Sequence, residues 1–244
     1  MQAITLRRAE FELPATVFRP NQAGAAPAVV VASGGLGPGD VDAYRWAGER
    51  LAAAGYVAIV ATYSVSGSGS DVLDLMTALD WLEADAGVDS SRLGLLGHSR
   101  GGLSGLLLAG AEERIKAVVS VATPADLGPY IRGMAGYAPA AAAAIAQFLG
   151  GSPDEVPQVY DALSAKGLAG RVKQPVLLIH GTADMRVPIE YAKSLESALR
   201  ESGNEQVEMV LLPGVGHSLE LGTLGYQFDK VIELASSWFD KHLA

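Results

Sequence analysis

Six short apolar runs, dense in β-branched residues and separated by helical patterns, constrain this chain more than any other feature. They are Ala28–Ala32, Tyr56–Ala61, Leu93–Leu96, Ile115–Val121, Val176–Ile179 and Val207–Leu212. A strand with one wet face alternates apolar and polar residues, whereas a near-continuous apolar run is covered on both faces. Helical patterns fall between the runs: 42–54, closed by Gly55 as a C′ glycine, then 71–85, 103–109, 191–200 and a closing stretch over 226–242. In 71–85 the residues Val72, Leu75, Met76, Leu79 and Leu82 form one stripe, as an amphipathic helix requires. Strand–helix alternation of this kind predicts an α/β chain with a mostly parallel central sheet and helices on both faces. The opening segment, 4–18, alternates and predicts two antiparallel strands around a turn.

The rhythm breaks once. More than fifty residues separate the run ending at Val121 from the run starting at Val176, far more than a direct crossover needs. The segment contains Tyr130, Ile131, Met134, Tyr137, an alanine run over 140–144, Phe148 and Leu149. Alanine is the strongest helix former. Residues 123–172 are therefore expected to be a small helical insertion, a lid over the strand ends, within one domain spanning 1–244. Pro153-Asp154-Glu155-Val156 reads as a helix start within it.

Composition narrows the function classes. The chain has 244 residues, 49% of them apolar and 18% charged, which suits one large globular domain with a substantial core. A net charge of −9 repels phosphate backbones and argues against a nucleic-acid partner. Cysteine is absent, which removes disulfides, thiol nucleophiles and cysteine metal sites. That usage fits a reducing cytoplasm without excluding secretion. Met1–Arg8 is followed by no apolar h-region, so it does not read as a signal peptide, and no apolar run reaches the length of a membrane span. Oligomeric state is left open.

Chemistry is suggested by Gly97-His98-Ser99-Arg100-Gly101-Gly102. A five-letter G-x-S-x-G match means little in a chain with 29 glycines. Here it follows an apolar strand and precedes a small-residue helix, the strand–turn–helix order of a nucleophile elbow. A serine hydroxyl needs an adjacent base and a third group to orient that base. The chain has four histidines. His98 lies inside the elbow, where its side chain should point away from the serine hydroxyl; His180 ends a strand and reads as structural; His242 sits near the end and reads as solvated. His217 follows the glycine-rich loop after the last strand, at the sheet edge that also carries the elbow, and is the expected base. Asp184, in the loop after Val176–Ile179, is the expected acid, ahead of a role as helix cap or partner of Arg186. Asp126 is the rival acid, since it too follows a strand.

Negative charge developing on a substrate oxygen calls for two backbone N–H donors. Arg100, directly after the nucleophile, is one candidate. Gly35, in the loop Ser33-Gly34-Gly35-Leu36-Gly37, is the other, with Leu36 the alternative. Leu36, Tyr63 and Met185 lie in loops at the same edge and are candidate substrate contacts. Ser66-Gly67-Ser68-Gly69-Ser70 lacks the pattern of a dinucleotide or P-loop site and reads as a flexible loop before a helix, with Asp71 an acid in that helix's first turn. No set of His and carboxylates has metal-ligand spacing, and neither metal nor cofactor is expected.

At these residues the sequence resembles the α/β-hydrolase superfamily over nearly its whole length. More narrowly, it is similar to the catalytic domain of the prolyl oligopeptidase family and to dienelactone-hydrolase-like serine esterases. The matching pieces are Gly97–Gly102, Gly150-Gly151-Ser152-Pro153-Asp154-Glu155, Pro175–Asp184 with Val187-Pro188, and Gly216-His217. The order Ser99, Asp184, His217 is that of α/β-hydrolases. Three departures stand out. The propeller of the peptidases has no room here, dienelactone hydrolases carry a cysteine where Ser99 stands, and Ser33-Gly34 replaces the usual histidine–glycine before the oxyanion turn. The resemblance implies an α/β-hydrolase fold and a serine-dependent hydrolase of small carboxylic esters; the insertion, rich in Ala, Tyr, Met and Phe, suggests an apolar acyl or aromatic group beneath it if it is a lid. A small peptidase or amidase, and a non-catalytic ligand-binding member of the fold, are the alternatives.

Overall fold

The computed structural model describes residues 1–64 and 68–243. Its centre is an eight-stranded sheet in the order β1-β2-β4-β3-β5-β6-β7-β8. The strands are β1 (Gln2–Arg8), β2 (Phe11–Phe18), β3 (Ala26–Ala32), β4 (Val57–Ala61), β5 (Val88–His98), β6 (Ile115–Val121), β7 (Val176–Gly181) and β8 (Val207–Leu212). β1 pairs antiparallel with β2, and β2 antiparallel with β4; every pairing from β4 through β8 is parallel. This is the α/β-hydrolase fold, with the open, mostly parallel sheet that the six apolar runs predict.

Alternation along the strands explains why those runs are apolar throughout. Successive side chains point to opposite faces. In β3, Ala28, Val30 and Ala32 join the core on one face, with Leu75, Leu79 and Leu82 of α2 (Ser68–Ala84), Leu106 of α3 (Arg100–Ala109) and Leu195 and Leu199 of α8 (Glu190–Glu201). Val29 and Val31 join the other face, with Ala47 and Leu51 of α1 (Arg45–Ala53) and Val231, Trp238 and Phe239 of α9 (Phe228–His242). Each face has its own core, so neither can carry polar residues.

Between β6 and β7 lie four helices: α4 (Leu127–Met134), α5 (Pro139–Phe148), α6 (Pro157–Ala162) and α7 (Ala165–Ala169). They form a third apolar cluster around Leu127, Ile131, Met134 and Tyr160, joined to the body through Leu103 of α3. Several boundaries differ from the sequence expectation. Residues 153–156 form a turn, and α6 starts at Pro157, where a proline at the first helical position loses no bond. The expected helix 42–54 divides into a 3-10 turn, Asp42–Tyr44, and α1. Within Ser66–Ser70, Ser66 and Gly67 lie outside the described residues, while residues 68–70 form the first turn of α2 rather than a loop. Among the described residues, no helix is long and apolar enough to cross a membrane.

The tightest packing lies where α3 leaves the elbow. A Cβ placed on Gly101 would sit 2.0 Å from the carbonyl oxygen of Ala32 at the end of β3. The obstacle is backbone, so it cannot rotate aside. Gly101→Ala is therefore expected to destabilise the fold by about 1–3 kcal/mol or more. Urea unfolding followed by far-UV circular dichroism would show this as a lowered midpoint.

Candidate active site

Ser99 stands between β5 and α3 with φ 54° and ψ −119°, a backbone conformation that side chains rarely adopt. Its N–H donates to Val121 O at 2.8 Å, and its own carbonyl accepts from Gly102 and Leu103 of α3. These bonds hold the turn open at the carboxyl ends of the parallel strands, where an open α/β sheet places its ligands.

His217 and Asp184 reach the same point from the loops after β8 and β7. Ser99 Oγ lies 3.0 Å from His217 Nε2, and Asp184 Oδ2 lies 2.8 Å from His217 Nδ1. A carboxylate only accepts, so His217 Nδ1–H is the donor, and Nε2 is left to accept the Ser99 proton. Burial alone would raise the Asp184 carboxyl. Hydrogen bonds from His217 and from the N–H groups of Val187 and Arg186 outweigh it and hold the group below the usual carboxylate range. Asp184 accepts the backbone N–H of Arg186, not its guanidinium. The rival Asp126 is occupied elsewhere: Oδ1 accepts from Ala165 N and Oδ2 from Ser194 Oγ, which fastens α7 and α8.

Of the residues flanking Ser99, Arg100 reaches the loop after β3 directly and His98 is linked to it through Tyr44. Arg100 forms a two-pronged ion pair with the fully buried Asp71, Nε to Oδ2 at 2.7 Å and Nη2 to Oδ1 at 2.6 Å, and Ser104 Oγ donates to the same carboxylate. Its Nη1 donates to Gly37 O at 2.6 Å and Gly35 O at 3.2 Å. The guanidinium also lies over the Tyr63 ring, 4.4 Å from the centroid, and Tyr63 Oη donates to Ser33 O. Arg100 was expected to act through its backbone; its side chain ties the elbow to this loop as well. On the other flank, His98 bonds Tyr44 Oη and the carbonyl of His217. Gly35 adopts φ 89° and lines the cavity over Ser99; among the described residues its N–H has no acceptor.

That cavity measures about 610 Å³. Ser99, Arg100 and His217 form its base, Gly34, Gly35 and Leu36 one side, and Leu127, Tyr130, Ile145 and Phe148 from α4 and α5 the other. Arg186 and Ser218 also line it. Of the three expected substrate contacts only Leu36 is there. Tyr63 is 1% exposed and lies outside the cavity, because its ring packs beneath Arg100. Met185 is 92% exposed and lies outside the cavity lining, at the crest of the turn that the Asp184 carboxylate closes on the N–H groups of Arg186 and Val187. His180, expected to be structural, bonds Val187 O. His242 is only partly solvated: its ring packs against Trp238, centroids 4.2 Å apart and planes tilted by 50°. Tyr44 and Asp71 were not foreseen as neighbours of the site, and Arg186 was weighed only as an ion partner of Asp184, not as part of the cavity lining. Asp71 reads as a helix-end acid, and nothing local marks Tyr44.

A family model described as the prolyl oligopeptidase family matches residues 46–244. An uncharacterised peptidase, YuxL, of Bacillus subtilis (strain 168) is 31% identical over 185 residues, covering 72% of this chain and 26% of its own. The esterase LipC of Mycobacterium tuberculosis (strain ATCC 25618 / H37Rv) is 28% identical over 191 residues, covering 71% of this chain and 47% of its own. The chain thus spans between about a quarter and a half of the length of these two relatives. The solved structure of Est1E from Butyrivibrio proteoclasticus superposes with a TM-score of 0.77 at 19% identity, covering 98% of both chains.

Two buried imidazoles make the site sensitive to acid. Burial pushes His98 down to about 4, assisted by the neighbouring His217 and opposed by its bond to the His217 carbonyl and by Asp184 and Glu220. Burial also lowers His180. An unfolded histidine protonates near 6.5, above the folded value, so the unfolded state gains protons first as pH falls. The stability that neutral His98 contributes is therefore complete above about pH 6.5 and lost towards pH 4. Between pH 7 and 4.5 the unfolding free energy of His98→Gln should fall by about 2–3 kcal/mol less than that of the parent. Urea titrations at the two pH values check this, and equal falls would refute it.

Proposed function

The chain belongs to the prolyl oligopeptidase family, and from that premise we propose that it is a serine hydrolase cleaving carboxylic esters of apolar or aromatic acids through an acyl-enzyme. One observation carries the reading: an apolar cavity of about 610 Å³ stands directly over a serine in hydrogen-bond contact with a carboxylate-oriented histidine. Ser99 Oγ attacks the ester carbonyl while its proton passes to His217 Nε2. The tetrahedral oxyanion is held by the N–H groups of Arg100 and Gly35, each such donor contributing about 10²–10³ in rate. Collapse expels the alcohol, which takes the proton from His217. Water then gives a proton to His217 Nε2 as it attacks the acyl carbonyl; the second tetrahedral intermediate collapses, the acyl–Oγ bond breaks, Ser99 Oγ takes the proton back from His217, and the acid leaves. Asp184 keeps Nδ1 protonated and steadies the imidazolium that forms twice in each cycle.

An acyl chain or aryl ring would lie against Leu127, Ile145 and Phe148, where about 25 cal/mol per Å² of buried apolar area favours it. The insertion formed by α4–α7 serves as the lid of that chamber and supplies most of its apolar wall. Among the described residues no carboxylate lines the cavity, so nothing there would recognise the ammonium group of a free peptide N-terminus. Peptide or amide cleavage is the second reading, favoured by the likeness to the Bacillus peptidase. The remaining alternative is ligand binding without turnover.

A panel of p-nitrophenyl esters from acetate upward, run beside aminoacyl p-nitroanilides, separates these readings. Ester turnover should exceed anilide turnover, and Ser99→Ala should lower kcat by about 10⁴-fold or more. Equal turnover by Ser99→Ala would overturn the mechanism. Dominant anilide hydrolysis would select the peptidase, and a parent that turns nothing over and resists fluorophosphonate labelling would select the binding reading. Ala141→Trp narrows the cavity wall. Its kcat/KM optimum is expected to shift to shorter acyl chains while acetate ester hydrolysis is retained, as the same panel would read.

A further inference from the structure

Three hydrogen bonds outside the chemistry form an unbroken line across the site. Gly34 N–H donates to Tyr44 Oη at 2.8 Å. Tyr44 Oη lies 2.6 Å from His98 Nδ1, and His98 Nε2 lies 2.8 Å from the carbonyl oxygen of His217. The polarity of the line is determined. A carbonyl only accepts, so His98 Nε2 carries the proton. Burial keeps the imidazole neutral at ordinary pH, so Nδ1 carries none and must accept. Tyr44 therefore donates to Nδ1 and keeps its lone pairs for Gly34. One hydroxyl thus receives from the loop after β3 and gives to the histidine preceding Ser99. That histidine gives to the backbone of the residue whose ring touches Ser99.

We propose, on the serine-hydrolase reading, that Tyr44 and His98 are positioning residues that lock the oxyanion loop and the His217 backbone to each other around Ser99. The lock acts on peptide orientation. With the Gly34 N–H drawn to Tyr44 and the Ser33 carbonyl to Tyr63, the peptide joining residues 33 and 34 is held at both ends, and Gly35, which lines the cavity and whose N–H has no acceptor among the described residues, follows directly from it. The close approach is built in: a Cβ at Gly34 would lie 2.8 Å from Tyr44 Oη and 2.9 Å from the carbonyl oxygen of His98. At the far end the bond to the His217 carbonyl restrains the backbone that aims the imidazole at Ser99 Oγ. Tyr44 enters from the 3-10 turn before α1 and is itself largely buried, which pushes its phenol up to about 12 and keeps the hydroxyl a donor. Donor placement is where small errors matter: displacement of a reacting or stabilising group by about 1 Å costs roughly 100-fold in rate.

Tyr44→Phe removes one oxygen and leaves the ring. Gln at position 98 keeps an N–H near the His98 Nε2 position and loses the acceptor at Nδ1. Each variant should lower kcat on a p-nitrophenyl ester about 10- to 100-fold with little change in KM. Binding of phenylboronic acid, whose adduct with Ser99 Oγ is tetrahedral, should weaken by the same factor. The double variant should lose little more than the worse single variant, because both interrupt one line. Unchanged kcat in a Tyr44→Phe protein with parental circular dichroism, a change in KM alone, or losses that multiply would overturn the proposal. Two measurements do not depend on activity. In ¹⁵N NMR, His98 should be the neutral Nε2–H tautomer at pH 7, and the Gly34 amide should exchange faster with solvent in Tyr44→Phe. The other tautomer, or unchanged exchange, refutes the lock even if the chain hydrolyses no ester. Absent ester turnover and absent fluorophosphonate labelling of the parent refute the hydrolase reading instead.

Discussion

The backbone of Ser99 is the constraint on which the rest of this structure depends. A serine at φ 54° and ψ −119° costs on the order of 1–3 kcal/mol relative to a relaxed turn. Such a conformation persists only where its surroundings over-determine it. Here they do so from three directions. Val121 at the end of β6 accepts the Ser99 N–H, α3 closes on the Ser99 carbonyl, and Gly101 lets α3 press against the end of β3. Two of these supports rest on strands of the central, parallel part of the sheet, and the third on the helix packed against it. The two-faced core of that sheet thus does more than stabilise the chain: it holds β3, β5 and β6 rigid enough to keep one residue strained.

From that fixed point the site is assembled by reach rather than by sequence proximity. Asp184 and His217 each sit in a loop following a strand two or three places along the sheet from β5, and their hydrogen bonds converge on Ser99. Loops of this kind are mobile unless fastened. Asp184 is fastened by the N–H groups of Arg186 and Val187, and the loop after β3 by the Arg100 side chain and Tyr63. The Arg100–Asp71 pair is buried, where the desolvation of two charges offsets much of their attraction. Its value lies in geometry: the guanidinium, fixed by Asp71, has one nitrogen left to hold the carbonyls of Gly35 and Gly37. A lysine, with no planar fork, could not serve both partners in this way.

How much of this was legible in the sequence follows from the range of each interaction. The sheet, its parallel core and the helices on both faces were readable because near-continuous apolar runs admit few other arrangements. The residues brought together as Ser99, Asp184 and His217 were readable because each follows a strand, and parallel strands deliver their following loops to one edge. Side-chain direction was not readable. Met185 and Tyr63 occupy loops at the correct edge, yet one faces solvent and the other supports a cation from below. Tyr44 lies in a short turn with no motif, and its role exists only once β3 and β5 are neighbours. His98 was set aside because it points away from the Ser99 hydroxyl. Its bonds to Tyr44 and His217 matter for that same reason, since they leave the hydroxyl free for His217.

The helices α4 to α7 answer to different rules. They form an apolar cluster of their own that meets the body through Leu103, on the helix that starts beside Ser99, while Ala165 and Ala169 of α7 also join the main core beside α8. The residues that orient Ser99, His217 and the loop after β3 come from the sheet, its loops and the helices flanking it, while most of the apolar cavity wall comes from α4 and α5. A change in that wall alters the space above Ser99 without loosening the bonds that aim it. The fold thereby separates two demands: rigidity in the backbone that holds Ser99, and freedom of shape in the apolar wall above it. It is the strain at Ser99 that makes this separation necessary, because a backbone held so far from its relaxed conformation tolerates little movement in the elements that support it.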